Sequence, residues 1–458
     1  MGRYGRTMTD NIQNVPAVKA EEASQAIARS LEALKPHLER YPHLWKMFRQ
    51  CFLNTIDTTV QQREGDTFVI TGDIPAMWLR DSTAQVLHYL RCAEHPAVAK
   101  MLEGLIARQA ACILRDPYGN AFNRIPSDYK PFTDIPEASE WVWERKYEVD
   151  SLCYPLWLAD QYYRKTGNTG FLTANFLEAV RRVVEVFRTE QDHENSSPYR
   201  FQRVGGPDID TLTREGLGEP VGYTGMTWSG FRPSDDKCTY GYLIPSNLFA
   251  VRAMAAASRL AKCMGDDALA EEAACLGEQI GEGVRKYGIV ELPRWGRIYA
   301  YETDGLGNYN LMDDANVPSL LSLPYLEVCS QDEELYRNTR AFVLSQENPF
   351  FFTGTCAAGI GSPHTAAGNI WPISLCMQAM TSDDPKEIAR LLHTLMHTHA
   401  GTFFMHESFN ANGPEAFTRS WFAWANSLFG EFIYRLYEKG ILDQVLDLAL
   451  ELLPEGEY

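Results

Sequence analysis

The sequence predicts an all-α fold, an (α/α)6 toroid in which six antiparallel helix pairs close into a ring. Apolar residues recur at intervals of three and four along most of the chain, as from Ile244 through Leu248 to Val251, and this spacing marks one face of a helix. Strand patterns are few and short, and no repeat of fixed period indicates a solenoid. Roughly twelve to fourteen helices joined by short turns and long loops match six pairs.

In the first half of the chain, the helices follow from this periodicity and from residues typical of helix starts. Asp81 has the residue type of an N-cap, and Pro96 stands where a helix start tolerates a fixed φ. The segment 66–74 alternates like a short strand. The helices expected here lie at about 18–38 (interrupted by Pro36), at 44–53, after Asp81, from Pro96 to Ile113, at 150–165 and at 176–187.

In the second half the same spacing continues after a long irregular segment, 190–230. Loops of this length inside a compact domain are usually functional. The helices expected here lie at about 241–263, 266–286, 313–322, 331–345, 365–381, 385–399, 415–438 and 441–452. In a ring of helix pairs the long loops gather at one end, where they form a pocket.

Length and charge limit the possible functions. A chain of 458 residues suggests two domains by default, but a large helical ring accommodates it as one, and we expect a single catalytic domain over 1–458 with a helical arm at 1–60. The net charge is −18 and no Lys/Arg-rich run is present, which makes nucleic acid and anionic membranes poor partners. Aromatic residues make up 12% of the chain, a content compatible with carbohydrate binding.

We expect a cytoplasmic protein. The N-terminal residues lack the apolar segment of a secretory signal, and no apolar run approaches the ~20 residues of a membrane span. Ten cysteines are scattered without CxxC pairs, as expected for free thiols in a reducing compartment. No cofactor motif is present, and the oligomeric state stays open.

The segment 228–242 (WSGFRPSDDKCTYGY) is the first candidate for chemistry. It places Asp235 and Asp236 directly before a predicted helix, so the aspartates have a structural explanation as helix caps. Caps do not explain why Trp228, Phe231, Tyr240 and Arg232 crowd the same loop. Aromatic rings, a guanidinium group and carboxylates together are the components of a sugar-binding pocket.

Two further loops in the first half carry similar groups. In the segment 73–82, Trp78 is apolar, and Arg80 and Asp81 have the groups to bind adjacent hydroxyls of a sugar; an internal ion pair plus a cap is the alternative. In the segment 141–151, either Glu148 or Asp150 faces the pocket, unless both belong to a solvated helix start.

The second half supplies three more loops. Asp313 and Asp314 suggest a metal site, but they lack calcium-loop spacing, and a helix cap is the better interpretation; no metal site is predicted anywhere. His364 lies among glycines that do not have dinucleotide-loop spacing and is a candidate ligand-binding side chain. His406 and Glu407 lie between phenylalanines, which favours a partly buried carboxylate.

Two carboxylate loops, each surrounded by aromatic residues, fit glycoside hydrolysis. That reaction needs a carboxylic acid to protonate the leaving oxygen and a second carboxylate near the anomeric carbon. No GxSxG motif supports an esterase-like triad instead.

Several longer motifs carry a resemblance to a known family. The segments MWLRDS, WSGFRPSDD, ETDGLGNYNLMDDANVPSLLSLPYL, GIGSPHT and MHESF resemble glycoside hydrolase family 125, the exo-α-1,6-mannosidases, over about residues 66–430. The resemblance implies an (α/α)6 fold and removal of a terminal mannose from α-1,6 linkages with inversion and without a metal.

The resemblance also implies roles for individual residues. An Asp of the SDD element, Asp235 or Asp236, would be the general acid, and Glu407 the general base. The positions of Arg80, Asp81, His364 and His406 match motif positions that hold the terminal mannose. From the residues alone, Trp78, Asp150 and Arg232 complete the candidate site. The partner is then a mannose-containing oligosaccharide, and the alternatives are another inverting exo-glycosidase of the glucosidase type or a non-catalytic glycan-binding toroid.

Overall fold

The computed structural model describes residues 20–63 and 65–453, and α-helices dominate them. The fold is the predicted (α/α)6 toroid. The helices are α1 Glu21–Leu31, α2 Lys35–Leu38, α3 Leu44–Thr58, α4 Leu79–Ala84, α5 Pro96–Arg115, α6 Val149–Thr166, α7 Ala174–Thr189, α8 His193–Ser196, α9 Ile244–Cys263, α10 Asp267–Tyr287, α11 Glu334–Val343, α12 Pro372–Met380, α13 Pro385–His397, α14 Ala423–Glu438 and α15 Leu442–Leu450.

The strands are short and lie in the long loops between helices. They pair into two- and three-stranded antiparallel sheets. The strands are β1 Val60–Arg63, β2 Asp66–Val69, β3 Met77–Trp78, β4 Ala121–Phe122, β5 Asp134–Ile135, β6 Val142–Glu144, β7 Gln202–Arg203, β8 Tyr242–Leu243, β9 Ile289–Leu292, β10 Gly296–Tyr299, β11 Glu302–Thr303, β12 Tyr309–Asn310, β13 Phe351–Thr353, β14 Ala358–Ile360, β15 Asn369–Ile370, β16 Ser408–Asn410 and β17 Gly413–Thr418.

Packing between helices closes the ring. Neighbours in sequence that are joined by short turns pack on each other, as α9 does on α10 and α12 on α13. Helix α14, near the end of the chain, packs against α3 and α4 near its beginning. Because the last helices contact the first ones, the arrangement is closed.

The helices that are buried on nearly all sides begin at one end of the ring. Most residues of α6, α12 and α14 are buried, the pattern expected of helices surrounded by other helices. A short sheet precedes these starts: β3–β4–β6 precedes α6, and β15–β16–β17 precedes α12 or α14. The sheets and the helix starts therefore bring side chains from distant parts of the sequence to the same end.

Several predicted helix boundaries are wrong. Helix α14 begins at Ala423 and not near 415, because residues 413–418 form strand β17 and pair with β16. Helix α12 begins at Pro372 and not at 365, with the proline in the first turn, where its missing N–H costs nothing. Helix α4 begins at Leu79, so Asp81 lies inside its first turn and is not the N-cap.

The helix expected at 313–322 does not form, and the cap predicted for Asp313 and Asp314 is wrong. The Asp313 carboxylate instead accepts the backbone N–H groups of Leu320 at 2.8 Å and Leu321 at 3.0 Å. These bonds close a loop, because they satisfy backbone donors that a helix would satisfy internally. Asp314 accepts from Asn316 and Ser362.

The structure also bears on the predictions about the first helix, the number of domains, the cysteines and membrane-spanning helices. The predicted start of the first helix, near 18, lies outside the described residues. Buried apolar side chains form one large cluster that includes residues from Ala20 to Leu453 and a small second cluster around Trp78. All ten cysteines are among the described residues, and none is in a disulfide. Within residues 20–63 and 65–453, no helix is long and apolar enough to cross a membrane.

Candidate active site

A pocket of about 350 Å³ lies at the end of the ring where the buried helices begin. Polar and aromatic side chains from distant loops share its wall. The lining residues are Thr71, Ile74, Trp78, Arg80, Asp81, Pro233, Ser234, Asp235, Asn316, His364, Trp371, Glu407, Arg419 and Phe422. Six of the side chains that the sequence suggested are therefore brought together here: Trp78, Arg80, Asp81, Asp235, His364 and Glu407.

Arg80 organises one side of the pocket. Its guanidinium group lies 2.7 Å from Asp81, 3.2 Å from Glu148, 3.3 Å from Asp150 and 2.9 Å from Asp235. Arg80 is only 4% exposed. One buried cation thus holds four carboxyl groups, and such a cluster keeps its shape only while these contacts remain.

Asp235 lies where this cluster meets the pocket. Its Oδ1 atom accepts from Arg80 Nη2 at 2.9 Å, and from Trp78 Nε1 and Asn120 Nδ2 at 3.3 Å each. Burial opposes ionisation, but the Arg80 charge and a hydrogen bond with Glu148 outweigh it and hold the pKa of the Asp235 carboxyl well below its usual range. The side chain is 26% exposed and is the one aspartate of the SDD element in the pocket wall.

Asp236 is turned away from this cluster and binds a histidine. Its Oδ1 atom lies 2.9 Å from His364 Nδ1, and Ser234 Oγ donates to its Oδ2 atom at 3.2 Å. Burial lowers the pKa of His364, but the hydrogen bond and charge of Asp236 outweigh burial and raise it to about 9. The pocket wall therefore carries an imidazolium at neutral pH.

Glu407 supplies the carboxylate on the Arg419 side of the pocket. It precedes strand β16, whose pairing with β17 fixes the direction of the chain at this point. Arg419 Nη1 lies 3.4 Å from Glu407 Oε1, and Arg419 Nε also donates to Asp73 at 3.0 Å. Glu407 is 5% exposed, so a single guanidinium contact holds a nearly buried carboxylate beside the pocket.

Three other candidates do not line the pocket. Asp150 is fully buried against Arg80, and burial raises its pKa to about 7. Arg232 Nε donates to Glu302 at 2.6 Å, which occupies its guanidinium group. The ring of His406 stacks on Phe417 at a centroid distance of 3.7 Å. None of these three side chains touches the cavity directly, so any role in binding is indirect.

The pocket wall also contains residues that the sequence did not single out. Arg419 and Phe422 come from the segment between β17 and α14, while Trp371 and Asn316 come from other loops. The segment 417–424 (FTRSWFAW) does carry an arginine among aromatic residues, the same signal that selected 228–242. Asn316 stands beside the Asp313–Asp314 pair and had no such signal. In the part of the chain that the structure describes, no group of three or more metal-ligating side chains is found.

Comparison with known proteins gives consistent matches. The model of the family described as metal-independent α-mannosidase (GH125) matches residues 41–434. The "Meiotically up-regulated gene 157 protein" of Schizosaccharomyces pombe is 39% identical over 440 residues, which cover 91% of this chain and 86% of the relative.

Solved structures agree with this match. A Streptococcus pneumoniae protein, described as a metal-independent α-mannosidase in a non-productive complex with α-1,6-mannobiose, is 42% identical with a TM-score of 0.87, over 92% of this chain and 98% of that one. A bacterial glucoamylase complexed with acarbose has a TM-score of 0.58 at 11% identity, over 89% of this chain and 58% of that one, and supports the fold alone.

Proposed function

This chain belongs to glycoside hydrolase family 125, the metal-independent α-mannosidases, and on that premise we propose that it releases terminal mannose from α-1,6-linked mannosides with inversion. The α-1,6 linkage is proposed because the Streptococcus pneumoniae relative binds α-1,6-mannobiose. The substrate class is then a mannose-containing oligosaccharide. We also propose that the toroid is a single catalytic domain.

The observation that carries the proposal is that Asp235 and Glu407 line the same pocket. An inverting hydrolase needs one carboxyl to protonate the departing oxygen and another to activate a water on the opposite face of the sugar. Asp235 is the proposed acid, because it lines the pocket whereas Asp236 is committed to His364. Glu407 is the proposed base.

The other pocket residues support binding of a single terminal sugar. Arg80, Asp81, Asn316 and Arg419 provide polar groups for sugar hydroxyls, and Trp78 provides an apolar surface. His364 adds a positive charge and a hydrogen-bond donor. Arg232 and His406 are proposed to support the loops that bear these side chains.

Mannose release from mannobioses of defined linkage tests the function. We expect release from the α-1,6 isomer to exceed release from the α-1,2, α-1,3 and α-1,4 isomers, and no glucose from isomaltose. Glu407→Gln should abolish release, whereas Glu415→Gln, at an exposed position of strand β17, should leave it unchanged. Equal rates on all four linkages contradict the proposed specificity, and glucose release favours the glucosidase alternative.

A further inference from the structure

Glu148, which does not line the pocket, belongs to the same buried cluster as the candidate acid. It is 1% exposed, and the guanidinium Nη2 of Arg80 lies 3.2 Å from its Oε1 and 3.3 Å from its Oε2. Ser151 Oγ donates to Oε2 at 2.7 Å, and Asn120 Nδ2 lies 3.3 Å from Oε1. The same Asn120 nitrogen lies 3.3 Å from Asp235 Oδ1, so one amide and one guanidinium connect the two carboxyl groups.

Charge in this cluster is unbalanced. Around Arg80, four carboxyl groups share one cation in direct contact. Two further cations face Asp235 but are paired elsewhere, Lys146 with Asp210 at 2.6 Å and His364 with Asp236 at 2.9 Å. Ionisation of all these buried carboxyl groups at once is disfavoured because they lie so close together, so the cluster holds at least one proton while the pocket is empty. The charged groups facing Glu148 and Asp235 are Arg80, Asp81, Lys146, Asp150 and His364, whereas Glu144 reaches them only through their shared neighbour Asn120 and is paired with Arg203 at 2.9 Å.

We propose that Glu148 and Asp235 hold one proton between them, and that Glu148 keeps this proton available to Asp235 when substrate binds. This inference rests on the proposed function, in which Asp235 is the acid. In the empty pocket the proton is on Glu148, which shares the donors Arg80 Nη2 and Asn120 Nδ2 with Asp235. In the complex it is on Asp235 and Glu148 is the carboxylate. The proton then passes to the glycosidic oxygen as the C–O bond breaks, and both carboxyl groups are ionised until water supplies another proton.

The two environments suit this exchange. Burial raises the pKa of Glu148 well above its usual value, while that of Asp235 is lowered, so the empty site favours a proton on Glu148. A bound sugar covers the 26% exposed Asp235 side chain, and loss of water favours its neutral form. Glu148 has donors ready for its ionised form in Arg80, Ser151 and Asn120. Two carboxyl groups coupled in this way titrate as a pair.

Without a second carboxyl group that can give up its proton and become a carboxylate, Asp235 would be left beside Arg80 as a permanent carboxylate at neutral pH. Glu148→Gln keeps the size of the side chain and removes this proton exchange. We therefore expect kcat/KM for α-1,6-mannobiose at pH 7 to fall by about 10²-fold, within the usual contribution of general acid catalysis. An aryl α-mannoside with a strongly acidic phenol needs little protonation, and its kcat/KM should fall much less. The alkaline limb of the mannobiose pH profile should move to lower pH.

A matched control is Glu144→Gln. Glu144 is also buried and accepts from the same Asn120 nitrogen at 3.0 Å, but it does not contact Arg80. It should keep the substrate ratio and the alkaline limb of the parent enzyme. A purely structural effect at position 148 would lower kcat/KM for both substrates equally and leave the alkaline limb of the pH profile in place. That result overturns the proposal.

The conservative variant Glu148→Asp completes the test. Because it retains a carboxyl group, it should recover part of the lost mannobiose activity and reverse part of the shift of the alkaline limb. If circular dichroism shows that the glutamine variant does not fold, Glu148→Asp replaces it. If Glu148→Asp lowers kcat/KM for both substrates to the same extent with an unchanged pH profile, the proposal is wrong. If the unmodified enzyme releases mannose from neither substrate, the proposed function has failed instead.

Discussion

Nδ1 of His364 lies 2.9 Å from Oδ1 of Asp236, whereas the adjacent Asp235 binds Arg80 on the other side of the loop. The backbone allows this divergence because Asp235 has a φ of 66°, in the left-handed region that few residues other than glycine adopt. Non-glycine residues in this region cluster at functional sites. Two neighbours of the same type thus belong to different networks, one in the pocket wall and one supporting a histidine.

The His364–Asp236 pair predicts a pH-dependent stability. The pKa of His364 is raised from 6.5 to about 9, so the stabilisation from its charge is fully present below about pH 6.5 and is lost as the pH rises through 9. Asp236→Asn should remove this dependence and move the His364 pKa back toward 6.5. Denaturant unfolding from pH 6 to 10 and NMR titration of the imidazole measure the two effects.

The exposed pair His37–Asp443, whose atoms also lie 2.9 Å apart, provides the control. Asp443→Asn should change the free energy of unfolding by less than about 1 kcal/mol, because solvent screens exposed pairs. If Asp236→Asn leaves the His364 titration unchanged, the ion pair does not determine the charge of His364.

Arg80→Met tests whether a single cation holds the carboxyl cluster together. Removal of one partner from a buried ion pair typically costs about 3–5 kcal/mol, and we expect a loss of at least this size in the free energy of unfolding at pH 8. The loss should shrink at pH 5, because protonation removes the repulsion that Arg80 no longer balances. Arg40→Met, at an exposed arginine with two aspartate partners, is the matched control and should cost less than about 1 kcal/mol. Equal losses at pH 5 and pH 8 contradict this explanation.

Sequence periodicity predicted the helical ring because every helix must bury one apolar face, and residues on one face of a helix are three and four positions apart in the sequence. Periodicity wrongly predicted helix at 313–322 and 415–422. There a carboxylate and a pair of short strands make the hydrogen bonds of the backbone instead. Arg232 shows the same limit at the site. Its partner Glu302, 2.6 Å away in space, lies in strand β11, 70 positions further along the chain, so residue type alone suggested a free guanidinium group.

Stereochemistry gives a prediction that does not depend on mutation. Inverting glycosidases leave about 6.5–9.5 Å between the two carboxyl groups so that a water fits beside the sugar, whereas retaining enzymes leave about 5–5.5 Å. We expect β-mannose as the first product, detected by proton NMR of the anomeric signals before mutarotation. Initial α-mannose would require a covalent intermediate and a different role for Glu407.

Variants of the three carboxylates separate their roles when each is measured on a poor and on an activated leaving group. Asp235→Ala should lower kcat/KM roughly 10²–10⁴-fold for α-1,6-mannobiose and much less for an aryl α-mannoside with an acidic phenol, because only the poor leaving group needs a proton. Glu407→Ala should fail on both substrates, since the attacking water must be deprotonated whichever group departs. Asp236→Ala should lower both activities by the same factor, because it acts through His364 and not on the departing oxygen. If Asp236→Ala shows the substrate-dependent loss and Asp235→Ala does not, the acid is Asp236. If Glu407→Ala still turns over the activated substrate at a normal rate, the base is another carboxylate of the pocket. Asp81 is then the next residue to test.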